Sequence, residues 1–275
     1  MINVIETKLS VGAAAPFKAL HLADTHLIYA DMRDGERKVE LARSRIPYFP
    51  VFEEAACTAA AMAKAENIPI LHSGDFIDFV SAANLEAAAR YTAENDCFVA
   101  AGNHNFSLYL GEAKEDAAYR NRSLAAVQKA FRNDIRMDSR VINGVNFVAL
   151  DDGYYLFEKE QLDFLRTQVA KGLPIVLLLH VPLYEPTLYD LEIHAGCAYL
   201  TAVPEERMRH YPPDRYEQQR ADETTRETVR YIESQPLIRA VLAGHIHKNT
   251  YTFLAGGRLP QITTDCPDIR RIEFV

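Results

Sequence analysis

Short apolar runs alternate with alanine-rich and charged stretches along most of the chain. Residues 2–9 read as an edge strand and residues 17–23 as a short apolar strand. The alanine-rich stretch 50–65 favours a helix, and Pro69 then punctuates the chain before a strand at 70–72. A second helix is expected over 81–93, a strand over 97–101 and a third helix over about 112–130. Asn143-Gly144 separates two apolar runs and predicts a hairpin ending near residue 150. After a helix at 158–170, residues 175–179 are uninterrupted branched and apolar, the pattern of a strand covered on both faces. A helix over 221–234 and a strand over 240–242 follow, and the alternating tails 250–255 and 269–274 look like paired strands. Two stretches lack such a pattern: 29–47, polar and arginine-rich, reads as a loop, and 182–220 is a long connection. Helices alternating with strands early and hairpins late predict a layered α/β fold with mixed sheets. No repeat or Gly/Ser linker divides the chain, so residues 1–275 are expected to form one domain.

The polar residues fall at informative places. Five apolar strands each run into metal-capable side chains: Asp24 and His26; His72 and Asp75, with Asp78 beyond; Asn103 and His104; His180; and His245 with His247. Carboxyl ends of sheet strands are where α/β folds place ligand sites. Each piece alone has an ordinary reading, since Gly74-Asp75 and Asn103 are good turn formers and His180 could bond its own loop. Their occurrence in series, each after an apolar strand, is hard to assign to turns. Nitrogen and oxygen donors without thiolate suit Mn, Fe, Zn, Co or Ni. Asp24 and His26 can ligate together where a strand opens into a loop, and Asp75 has two oxygens with which to bridge two ions. Such a pair can clamp attacking and leaving oxygens and generate hydroxide at neutral pH.

Composition narrows the partners. The chain has 275 residues, 48% hydrophobic and 25% charged, with 30 Lys and Arg against 38 Asp and Glu, a net −8. This balance argues against a stable nucleic-acid partner, which needs a basic stripe, while leaving room for one small anionic substrate. No apolar run reaches a membrane span, and no secretory signal is evident. Cys57, Cys97, Cys197 and Cys266 show no paired-thiol spacing, which suits a reducing, cytoplasmic setting, with two disulfides as the alternative.

The ordered set Asp24-x-His26, Gly74-Asp75-x-x-Asp78, Gly102-Asn103-His104, a lone His180 and Gly244-His245-x-His247 resembles the calcineurin-like metallophosphoesterases. The likeness spans most of the chain. It implies a central β-sandwich of two mixed sheets flanked by helices, and two divalent or trivalent transition-metal ions, Mn and/or Fe, with Zn, Ni or Co as alternatives. One ion would be held by Asp24, His26, Asp75 and His247, the other by Asp75, Asn103, His180 and His245. His104 would face the phosphate without ligating. Family members often carry a carboxylate directly after this histidine, where this chain has Asn105. An amide can accept from a ring N–H but supplies no negative charge, so His104 is expected to protonate less readily. Asp78 is expected either to support the ligands from behind or to be a solvated turn carboxylate.

The reaction so implied is hydrolysis of a small phosphodiester or phosphomonoester by metal-bound hydroxide, with His104 polarising the phosphate or protonating the leaving group. Two alternatives stay open: a nucleotide pyrophosphatase of the same fold, and a weakly active metal-binding scaffold. Substrate choice is expected to lie in the two long stretches. Arg33, Arg37, Arg43 and Arg45 in 29–47 could reach a further anionic group or stand in solvent. The tyrosines at 184, 189, 199, 211 and 216, with His194 and His210, suggest that 182–220 caps the site or packs on a twin subunit in a homodimer.

Overall fold

The computed structural model of the protein describes residues 2–108, 116–193 and 196–275. Strands β1 (Val4–Leu9) and β2 (Phe17–Leu22) come first, followed by helices α1 (Glu36–Arg45) and α2 (Phe52–Glu66) and strand β3 (Ile70–Ser73). Next are α3 (Ala82–Glu94), β4 (Cys97–Ala100), the single turn α4 (Asn103–Phe106) and α5 (Ala117–Gln128). The hairpin β5 (Met137–Ile142) and β6 (Val145–Leu150) leads through α6 (Lys159–Val169) to β7 (Ile175–Leu178). Two short helices, α7 (Pro186–Glu192) and α8 (Pro213–Gln219), lie in the long connection before α9 (Glu223–Ser234). The chain closes with β8 (Ile238–Ala243), β9 (Thr250–Leu254), β10 (Leu259–Thr263) and β11 (Ile269–Phe274).

Helix starts follow local chemistry. Ser81, Asp116 and Asp222 each accept a hydrogen bond from a backbone N–H in the first turn of α3, α5 and α9, the usual role of short polar side chains at that position. Asn67, in the left-handed region, ends α2.

The strands form two mixed sheets, one ordered β1-β11-β2-β3-β4 and the other β5-β6-β7-β8-β10-β9. Leu71, Phe98 and Ala100 of the first pack against Phe147, Val176, Leu178 and Leu242 of the second, so the inner faces share one apolar core. The run at 175–178 behaves as its composition predicts: Val176 and Leu178 face that core, while Ile175 and Leu177 face a second cluster with Leu165 of α6 and Ile232 of α9. Helices α2, α3 and α5 cover the outside of the first sheet.

Two expectations need correcting. Residues 29–47 are not a loop, since a 3-10 turn at Met32–Asp34 and α1 occupy most of them. Only Ala42 of α1 is buried, so the helix carries no apolar stripe for a periodicity argument to find. The tails 250–255 and 269–274 do not pair with each other: β9 pairs with β10, and β11 lies between β1 and β2 in the other sheet. Strand β10 escaped notice because Pro260 interrupts it, which is tolerated where the missing N–H is not needed. Finally, α5 starts at Ala117, and the earlier part of the helix expected from 112 lies outside the described residues, as does His194.

Candidate metal centre

The five strand ends converge. Asp24 and His26 follow β2, Asp75 follows β3, Asn103 and His104 begin α4 after β4, His180 follows β7, and His245 and His247 follow β8. The site is therefore assembled from both sheets at one end of the sandwich. Potential ligand atoms of Asp24, His26 and His247 lie within 4.8 Å of one another, as do those of Asp75, His180 and His245, and those of His26, Asp75 and His104. His180 Nε2 is 3.2 Å from Asp75 Oδ2 and 3.1 Å from Asn103 Oδ1. His26 Nε2 stands 3.9 Å from Asp24 Oδ1 and 3.8 Å from Asp75 Oδ2.

The backbone is bent to achieve this. Asp24, His26, Asp75, His245 and His247 all have positive φ, between 38° and 70°. Such conformations cost energy for residues with a Cβ and gather where function over-determines them. Two glycines allow the close approach. A Cβ on Gly244 would lie 2.5 Å from Asp24 Oδ2, and one on Gly102 would run into Asp75 Oδ1.

The residues fit a pair of cations. The donors are carboxylate, imidazole and amide, a set suited to Mn, Fe, Co, Ni or Zn. His26 Nε2 is buried and has no hydrogen-bond partner among the described residues, a cost of about 1–3 kcal/mol unless a ligand takes the nitrogen. The electrostatics point the same way. Burial opposes charge on His180 and His104, yet the Asp75 carboxylate outweighs it, holding His180 up to about 10 and, with Asp78, His104 up to about 9. Burial likewise opposes ionisation of Asp75, and His180 and His104 pull its pKa below the ordinary carboxylate value. Burial pushes His26 and His245 down, into the neutral form in which an imidazole ligates, whereas His180 would give up its proton to an incoming cation. The carboxylate field thus draws positive charge inward.

Behind the cluster, Asp78 is fully buried and is not a solvated turn residue. Its Oδ1 lies 3.0 Å from His26 Nδ1 and 3.2 Å from His104 Nδ1, and its backbone carbonyl accepts from His104 Nδ1 at 2.7 Å. Arg45 grips the same carboxylate at 2.8 and 2.9 Å. Burial would raise the Asp78 pKa, but Arg45, His104 and His26 hold it well below the usual range. The expectation for residue 105 is corrected here. The carbonyl oxygen of Asn105 accepts from Gly102 N at 2.9 Å, bracing the loop, and the carboxylate beside His104 comes from Asp78. His104 consequently protonates more readily, not less.

Three supporting residues were not singled out in these roles from sequence. Arg45 appeared only among the arginines of a presumed loop. Asp152 accepts from the backbone N–H groups of His180 and Val181 at 2.8 and 3.1 Å and from the Thr201 hydroxyl at 3.3 Å. Its signal was present, since Asp151-Asp152 directly follows the apolar run 145–150. The Tyr155 hydroxyl lies 3.0 Å from His245 Nε2, while His245 Nδ1 faces His180 Nε2 at 3.2 Å. Of the tyrosines in 182–220, Tyr189 and Tyr211 are buried among Leu188, Leu200 and Met208, whereas the Tyr199 ring stands 6.1 Å from that of His245. No helix among the described residues is long and apolar enough to cross a membrane.

Comparison with known proteins agrees with this architecture. The model of the calcineurin-like phosphoesterase family matches residues 17–249. The fold is similar to that of a dimetal phosphatase from Danio rerio, with 15% identity, 90% of this chain and 87% of that one covered, and a TM-score of 0.51. A phosphopantetheinyl hydrolase from Mycobacterium tuberculosis is similar at 12% identity, with 96% and 90% covered and a TM-score of 0.47. No curated protein matches the sequence closely enough to count as a relative. By its family model, its two mixed sheets and its ordered motifs, the chain belongs to the calcineurin-like phosphoesterases.

Proposed function

We propose that the protein hydrolyses a small phosphodiester or phosphomonoester at two transition-metal ions. The observation that carries this reading is Asp75, whose carboxylate belongs to two groups of ligand-capable atoms, one with His26 and His104 and the other with His180 and His245. One ion would be held by Asp24, His26, Asp75 and His247 and the other by Asp75, Asn103, His180 and His245. When bound, such ions offset charge on phosphoryl oxygens and lower the pKa of water.

The chain's own groups do the rest. A carbonyl oxygen can only accept, so His104 Nδ1 carries a hydrogen toward Asp78, and Nε2 is left for the reacting phosphate. From there His104 donates a proton to the leaving oxygen. Asp78 fixes the rings of His26 and His104 together, and Arg45 keeps Asp78 ionised. Tyr155 sets the His245 ring so that Nδ1 points inward. Tyr199, beside His245, makes 182–220 one wall of the site.

Metal analysis and turnover test the reading together. The chain loaded with Mn, Fe, Co, Ni or Zn is expected to hold two ions and to cleave at least one among aryl phosphomonoesters, aryl phosphodiesters, cyclic nucleotides and nucleoside diphosphates. His104→Ala should lower turnover and leave the metal content intact. Absence of turnover with every cation and ester overturns the proposal, and loss of metal in His104→Ala overturns the non-ligand role of His104.

A further inference from the structure

A groove of about 660 Å³ opens beside the metal centre, within the size range of small-molecule sites. His26 belongs both to the ligand cluster and to the groove's lining. Phe49 stacks face to face on the His26 ring, with centroids 4.4 Å apart and planes 17° apart, and stands 6.1 Å from the His247 ring. Ile46, Val51 and Phe52 continue the apolar wall, and Glu53 and Glu54 add two carboxylates. Neither lysine nor arginine appears among the residues that line it. Arg45, 4.7 Å from the Phe49 ring, is already committed to Asp78 by two hydrogen bonds, and Arg90 stands in an adjoining pocket with Tyr29 and Glu53.

We infer that this groove seats the organic part of the substrate, an aryl or alkyl group without negative charge, while the phosphoryl group lies at the cluster. The inference rests on the phosphoester reading and gives it a substrate class. An apolar body against Phe49, Val51 and Phe52 gains the stabilisation of leaving water. A carboxylate or a second phosphate there would meet Glu53 and Glu54 with no free cation in the lining to offset the repulsion. Nucleoside diphosphates are correspondingly poor occupants, which sets the site against pyrophosphatase chemistry.

Phosphonates test this without turnover. Binding of phenylphosphonate, methylphosphonate and 4-carboxyphenylphosphonate to the Mn-loaded full chain is measured by calorimetry. Phenylphosphonate is expected to bind about tenfold more tightly than the methyl compound, the return for burying much of a ring. The carboxyphenyl compound should bind several-fold more weakly than phenyl, and Glu54→Lys, at an exposed position, should reverse that order. Val51→Trp, which fills the groove, should erase the advantage of phenyl over methyl. Equal affinity for phenyl and methyl, no binding of either, or a carboxyphenyl-to-phenyl ratio unmoved by Glu54→Lys overturns the inference. A phenyl preference in a chain that cleaves no ester would leave the groove standing and remove the hydrolase reading instead.

Discussion

The two long excursions from the sandwich, 28–51 and 182–220, flank the same site but are held in opposite ways. The first is tied down by polar bonds. Asn84 accepts from Tyr29 N at 2.7 Å, Asp34 accepts from Ala82 N at the start of α3 at 2.5 Å, and Arg45 closes on Asp78. Its helix α1 buries only Ala42. The second brings its own apolar cluster, with Leu188, Ala198, Leu200 and Met208 buried together and against Ile246 of the loop after β8. It is pinned to the sandwich by the Gln261 amide, which both donates to and accepts from the Leu183 backbone, and by Thr201 on Asp152. The difference shows that a segment need not own a core to be positioned. A few polar anchors suffice, one of them an ion pair whose carboxylate is also wanted by the site.

That contrast can be broken at its strongest point first. Asp78→Ala removes the shared carboxylate and leaves Arg45 unpaired. It is expected to cost about 3–5 kcal/mol, the usual penalty for breaking a buried ion pair, and to weaken Mn binding about 10–100-fold. Denaturant titration and calorimetry would check both, and wild-type Mn affinity would sever the link between segment and site. Next, Leu200→Ala should cost about 2–5 kcal/mol through the cavity it opens, with hydrogen exchange quickening in 182–220 and not in α1. Arg45→Met leaves Asp78 its two histidines and should cost about 1–3 kcal/mol. Here α1 amides should exchange faster while α7 and α8 stay protected, and the opposite pattern would refute the division drawn here. The smallest effect belongs to Glu86→Gln, which breaks an exposed pair with Arg33. No measurable shift of the thermal midpoint is expected, because such surface pairs contribute little.

The sequence made the donors legible because each stands directly after an apolar strand, and two sheets end on the same side. It made Asp78 visible as a carboxylate three residues past Asp75 but not its task, since its partners His26 and Arg45 come from a segment more than thirty positions earlier. Arg45 was hidden for the same reason as α1: a helix that is polar on nearly every face has no periodic signature. The two-sided cover of β7 was readable from its continuous apolar run, whereas β9 and β11 were wrongly paired, because alternation says that a strand is half covered but not which sheet covers it.

The donors' split between the two sheets has a consequence for the chain during its synthesis. Asp24, His26, Asp75 and Asn103 emerge first, and His180, His245 and His247 follow only after long intervals. Neither group of donors proposed for an ion is complete until residue 245 has left the ribosome. Ion uptake into either proposed group would therefore come only after β8 has been made.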